Sequence, residues 1–299
     1  MFKRYPKVLF KPAHKSAKGS VMRTETHILN ELHATRYVPD SADYALVISH
    51  GLGGHGGIYD VFCEHHAAKN VDIWSYDAPG HGRSTMNRAR GTWTMEEWAQ
   101  ASRDWAAHVK HKTGLPVFLL GSSLGAAAAI SAIDSADVDG VVIMGSAAIP
   151  GSALVRAATE SWRNPAIKAV IESLGRAVRL DIGIMFNFDE DYGYKGASEQ
   201  KKSDPLNTWS YDLASWASFL QYDPPQPLSD NIKPVLFTAG TDDPNFPPGT
   251  VEAIAGEVGG PVSVEIFDGA HHQLMLFETE KFSTCADQFC RANIQSTES

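Results

Sequence analysis

Short apolar runs alternate along this chain with longer stretches whose apolar positions recur every three or four residues. The runs near Leu32 to Val38 and at Tyr44-Ala-Leu-Val-Ile-Ser49, Val71-Asp-Ile-Trp-Ser-Tyr-Asp77, Pro116-Val-Phe-Leu-Leu120, Gly140-Val-Val-Ile-Met-Gly145, Pro234-Val-Leu-Phe-Thr-Ala-Gly240 and Val262-Ser-Val-Glu-Ile-Phe267 predict strands. Helices are expected from Ile58 to Lys69, from Thr94 to His111 and from Ala126 to Ile133. In the second, Met95, Trp98, Ala101, Trp105 and Val109 form one buried stripe behind a first turn holding Glu96 and Glu97. A last helix sets Phe282, Cys285, Ala286, Phe289, Cys290 and Ile294 on one face, to pack on the sheet. Strands joined by helices long enough to cross over predict an α/β protein whose mostly parallel sheet is covered on both faces. Between Ile149 and Lys233 the regularity stops, with breaks at Asn164-Pro165, Asp204-Pro205 and Pro224-Pro225.

At 299 residues the chain suffices for one elaborated domain. Its net charge of −9 argues against a nucleic-acid binder, which would show a basic face. Cys63, Cys285 and Cys290 are too few and too scattered for a disulfide framework or a zinc site, and read as reduced core residues. Residues 1–22 form a basic arm, with Lys3, Arg4, Lys7, Lys11, Lys15 and Lys18 and no acid before Gly19. Such an arm is solvated, or weakly attracted to anionic lipid, and lacks the apolar core of an export signal. No run of roughly 18 apolar residues is present to span a bilayer. The expectation is a cytoplasmic protein.

Ligands of parallel sheets sit beyond the carboxyl ends of the strands, and the residues that suggest chemistry fall there. Gly121-Ser-Ser-Leu-Gly125 has the Gly-x-Ser-x-Gly spacing of a strand that turns sharply into a helix, exposing the hydroxyl of Ser123 as a nucleophile. A serine hydroxyl needs a base, and the base needs an acid to fix its tautomer. Asp243 and His272 follow Ser123 in the required chain order, each just after an apolar strand. Their neighbours Asp242 and His271 are the alternatives. The Leu124 amide, after the nucleophile, supplies one oxyanion donor, and Leu52 in His50-Gly-Leu-Gly-Gly-His55 is named for the second. That loop lacks the spacing of a dinucleotide or phosphate cradle.

Together these segments resemble the α/β-hydrolases, and within them the monoacylglycerol lipase and lysophospholipase-like group. The likeness rests on His50-Gly-Leu-Gly-Gly-His55 with Tyr59, Asp77-Ala-Pro-Gly-His-Gly-Arg-Ser84, the serine elbow, Ser203-Asp-Pro-Leu206, Gly240-Thr-Asp-Asp243 and Gly269-Ala-His-His272. The resemblance implies a core of residues 23–148 and 234–299, with a helical cap of residues 149–233 inserted after the sixth strand. It also implies Ser123, His272 and Asp243 as a triad and Leu52 and Leu124 as oxyanion donors.

The expected function is hydrolysis of a carboxylic ester through an acyl-enzyme, without metal or cofactor, on a small-molecule ester. A lactone is the alternative, because the segment after Ile149 is unusually aromatic and suits a flat or bulky ring. Trp162, Phe186, Phe188, Tyr192, Trp209 and Trp216 are its candidate substrate contacts. Carbon–carbon bond hydrolysis and a non-catalytic ligand-binding role are minor alternatives. Residues 153–180 carry an amphipathic pattern compatible with contact at a membrane surface, and a homodimer is compatible with the sequence.

Overall fold

Every one of the apolar runs forms a strand in the computed structural model, which describes residues 22–85 and 87–294. The basic arm therefore lies outside the described residues, apart from Met22. In chain order the strands are β1 (Arg23–Leu29), β2 (Leu32–Val38), β3 (Tyr44–Ser49), β4 (Val71–Tyr76), β5 (Val117–Ser122), β6 (Gly140–Met144), β7 (Arg179–Asp181), β8 (Ser210–Asp212), β9 (Val235–Gly240) and β10 (Val262–Phe267). Eight of them make one sheet in the order β1-β2-β4-β3-β5-β6-β9-β10, and β7 pairs with β8 apart from it. From β4 to β10 all neighbours run parallel, while β1, β2 and β4 pair antiparallel. β1 carries no apolar run because it lies at the sheet edge with both faces wholly or partly exposed. It joins β2 through Asn30 and Glu31, both at positive φ, the two-residue turn that matches strand twist.

The period of two along each central strand divides the core into two. Ala45, Val47, Val117 and Leu119 point to one face, and Leu46, Ile48, Phe118 and Leu120 to the other. The first face is covered by α2 (Met95–Thr113), α3 (Leu124–Ser131) and α9 (Pro248–Ala255). The second is covered by α1 (Asp60–Ala67) and α11 (Thr279–Ala292), which follows the single turn α10 (Leu274–Phe277). A capping box of Thr94 and Glu97 starts α2, and Trp98 and Trp105 are buried on its stripe as the spacing predicts. On α11 the residues Phe282, Ala286 and Cys290 are buried. Cys63 and Cys290 are core residues; Cys285 is only half-buried at the helix edge, against expectation, and all three thiols are free.

Between β6 and β9, which are hydrogen-bonded neighbours, the chain makes a long excursion. It holds α4 (Ala153–Thr159), α5 (Pro165–Leu174), β7, α6 (Phe188–Asp191), α7 (Ala197–Ser203), β8 and α8 (Leu213–Leu220). Side chains of Ser152, Asn164, Asn187 and Asp212 cap its helices, which explains how a segment without strand–helix regularity still folds locally. Val155 and Ile171 are buried, whereas Leu154, Ile167, Val170, Leu174 and Val178 stand in solvent. Among the described residues no helix is long and apolar enough to cross a membrane.

Candidate active site

Ser123 joins β5 to α3 at φ 51° and ψ −118°, a conformation that costs a non-glycine residue about 1–3 kcal/mol. Packing holds it there. A Cβ on Gly121 would lie 2.4 Å from Ala126 Cα, and one on Gly125 would lie 2.3 Å from the His50 carbonyl oxygen. The two glycines thus let α3 press against the strand ends while the Ser123 amide donates to the Met144 carbonyl at 2.9 Å.

His272 and Asp243 meet in the loops after β10 and β9. The Nδ1 of His272 lies 2.8 Å from one carboxylate oxygen of Asp243, whose other oxygen accepts the amides of Asn245 and Phe246 at 2.9 and 3.0 Å. Both side chains are buried. A carboxylate can only accept here, so Nδ1 carries the proton and the neutral ring offers its lone pair at Nε2. Burial, the largest influence on His272, opposes its charging, but the hydrogen bond and charge of Asp243, helped by the charge of Asp191, outweigh it. The imidazole pKa ends above the ordinary histidine value. The alternatives separate: Asp242 is exposed, and His271 is packed against the backbone of Gly193.

Leu52 occupies the turn after β3. Gly51 touches the elbow so closely that a Cβ there would sit 3.1 Å from Ser123 Cβ. His50 ties this turn to the loop after β4, its Nδ1 on the Gly51 carbonyl and its Nε2 accepting the Ala78 amide, with burial pushing its pKa down to about 4. In that second loop Asp77 accepts the amides of Gly56 and Arg83. Leu124, as first residue of α3, carries one of the amides that a helix start leaves without an intrahelical acceptor.

Ser123, His272, Leu52 and Leu124 line a single cavity, with Asp243 behind His272. Four of the six aromatic residues expected at the substrate are in its wall: Phe186, Phe188, Tyr192 and Trp216. Trp162 and Trp209 are not. The Trp162 carbonyl binds Gln221 in the turn after α4, and Trp209 is held between the Phe188 ring and the Lys202 ammonium, 4.8 Å from its ring centroid. Ala148, Phe219 and Phe246 complete the apolar wall, and Asp191, Asn245 and Gln273 make a polar corner beside His272. Asp191 is the residue that pattern reading missed. It is buried at the end of α6, its side chain accepts from Asn245, and desolvation raises its pKa. Its signal in the sequence is the last of three consecutive acids, Asp189, Glu190 and Asp191, in a short aromatic segment.

Residues 40–280 match the family described as serine aminopeptidase, S33. The chain belongs to that family. A monoglyceride lipase homolog of monkeypox virus is 32% identical over 131 residues, 42% of this chain and 46% of that protein. The chain thus spans less than half the length of the curated relatives it matches. A carboxyl esterase from Bacillus coagulans, solved in complex with glycerol, superposes with a TM-score of 0.74 at 16% identity, over 91% of this chain and 99% of its own. An N-acyl homoserine lactonase complexed with N-hexanoyl homoserine superposes with a TM-score of 0.64 at 16% identity, over 93% of this chain and 100% of its own. At such identities the likeness carries the fold alone, and the fold of this serine aminopeptidase S33 family member is that of the α/β-hydrolases.

Proposed function

We propose that the protein is a serine hydrolase of carboxylic esters. The observation that carries this reading is a histidine with an acid on Nδ1 and a lone pair on Nε2, opening on the same apolar cavity as a serine held on a strained elbow. Ser123 Oγ attacks the ester carbonyl and its proton passes to His272 Nε2. The carbon–oxygen bond breaks, and the leaving alcohol takes that proton. Water then attacks the acyl-enzyme, giving its proton to His272 and releasing the acid with Ser123 restored. The amides of Leu52 and Leu124 stabilise the oxyanion, worth about 10²–10³ in rate for one such donor. The excursion of residues 149–233 acts as a cap whose aromatic side chains bound the acyl or ring part of the substrate.

The test is turnover of p-nitrophenyl and glyceryl esters of graded chain length, with fluorophosphonate labelling of Ser123. Ser123→Ala is expected to remove activity by on the order of 10⁶-fold. Retained turnover in that variant rejects the reading. A lactone is the second reading, favoured by the ring-lined wall of Phe186, Phe188, Trp216 and Phe219. Aromatic or macrocyclic lactones in the same panel decide between them by relative kcat/KM.

A further inference from the structure

The turn that carries Leu52 is held from outside its own strand. The Gly54 amide closes it on the Gly51 carbonyl at 3.1 Å, with Gly53 at φ 72° and Leu52 outside the left-handed region. That combination is a type II turn, and a glycine at its third position allows the central peptide to turn over into the type I form. Turning over would reverse the Leu52 carbonyl and the Gly53 N–H, beside the amide proposed to meet the oxyanion.

Tyr211 opposes that reversal. The Gly53 amide donates to its hydroxyl oxygen at 2.8 Å, and the hydroxyl is fully buried on β8. His81 fixes the sense of this contact. Its Nδ1 lies 2.9 Å from the Pro79 carbonyl, which can only accept, so Nδ1 carries the proton and Nε2 is a lone pair. Nε2 is 2.9 Å from the Tyr211 hydroxyl, which therefore donates to His81 and turns its own lone pairs toward Gly53. Burial holds His81 far below the ordinary histidine range, so the ring stays neutral in this tautomer. Two more bonds to the same stretch support the loop: the Thr208 amide donates to the Gly53 carbonyl at 3.2 Å, and the Asp204 carboxylate accepts from His55 Nε2 at 2.9 Å.

We propose that Tyr211 is a positioning residue for hydrolysis. By holding the Gly53 N–H, it keeps the Leu52–Gly53 peptide in the one orientation that leaves the Leu52 amide free for the oxyanion. This inference rests on the ester hydrolase reading and on Leu52 as an oxyanion donor.

Tyr211→Phe removes only the hydroxyl oxygen. On a short p-nitrophenyl ester its kcat is expected to fall at least about tenfold with KM within about threefold, a part of what a lost oxyanion donor costs. Affinity for an alkyl boronic acid, which forms a tetrahedral adduct at Ser123, should fall in parallel with kcat/KM. Affinity for an uncleavable ether analogue should not change. A purely structural role would lower thermal stability and leave the boronate-to-ether ratio where it was. His81→Asn, which frees the Tyr211 hydroxyl to rotate, is expected to lower the same ratio by less, and decides the matter if Tyr211→Phe does not fold. Tyr194→Phe, which loses only a hydroxyl bound to Gln200, is the control and should match wild type. An unchanged ratio and kcat in the Tyr211 or His81 variant overturn the inference. Failure of the hydrolase reading shows in another arm, as wild-type protein left unlabelled at Ser123 by fluorophosphonate, and the inference falls with it.

Discussion

The main-chain amide of His272 donates to the carbonyl of Asp191 at 3.2 Å, so the loop bearing the proposed base is hydrogen-bonded to the last residue of α6 in the excursion. The carboxylate of Asp191 also faces the cavity beside that imidazole. It is a second negative charge, after Asp243, that favours the imidazolium.

A base must be neutral to accept the serine proton. Because the His272 pKa is held above the ordinary value of about 6.5, the acid limb of kcat/KM should lie above that pH. Removing the negative charge in Asp191→Asn makes the imidazolium less stable, so the limb should move to lower pH. A pH–rate profile of both proteins checks the sign, and a limb moving upward contradicts it. Asp243→Asn should instead lower kcat by up to about 10⁴-fold, because Nδ1 loses its acceptor and the tautomer is no longer fixed.

Gly125→Ala is expected to be among the most damaging single-methyl additions in the molecule. The new carbon would fall 2.3 Å from the His50 carbonyl oxygen and 2.4 Å from that of Ser49, both backbone atoms that cannot swing away. Relief requires α3 to move from the sheet, at a cost of about 3 kcal/mol or more. Urea unfolding measures the loss, and activity per folded molecule should fall too, because the same shift displaces Ser123.

His66 should make the fold less stable in mild acid. It is buried between the Tyr44 hydroxyl at 2.9 Å and the Ser283 hydroxyl at 2.8 Å, and burial pushes its pKa down to about 3. The unfolded chain takes up a proton near pH 6.5 and the native ring refuses it, so its contribution is complete above about pH 6.5 and is lost as pH falls toward 3. At pH 5 the loss is about 2 kcal/mol. Urea midpoints of wild type and His66→Gln at pH 7.5 and pH 5 isolate it, since the glutamine variant should show the shallower decline.

Val170 and Leu174 on α5 are each 56% exposed, with Leu154, Ile167 and Val178 also in solvent. An apolar row of this kind on a surface helix suits the headgroup boundary of a bilayer. Replacing Ile167 and Val170 together by Asp should cut co-sedimentation with phosphatidylcholine vesicles by about tenfold or more, without changing turnover of a soluble ester. Equal sedimentation of the two proteins contradicts this.

What was legible in the sequence follows from burial. β3, β4, β5, β6 and β9 are buried on both faces and so spell mostly apolar runs, broken only by buried polar residues such as Asp72, Ser75 and Thr238, whereas β1 at the open edge spells nothing. The elbow showed because two glycines must sit where backbone meets backbone. Asp191 and Asn245 did not, since they reach the cavity from loops and a four-residue helix whose path no periodicity describes. The aromatic content of the excursion announced a ring-rich wall, but composition does not tell which rings turn inward. Trp209 went instead to Lys202 and Phe188.

The excursion leaves the sheet at β6 and returns at β9, its immediate neighbour. Its two ends are therefore fastened side by side, and a different segment could be spliced between them without altering any strand register. On the ester hydrolase reading proposed above, substrate preference would then be exchangeable as a cassette while the sheet stays constant. Such a cassette carries conditions at its inner face: whatever replaces β8 must again present a hydrogen-bond acceptor to the amide of Gly53, and whatever replaces α6 a carbonyl to the amide of His272.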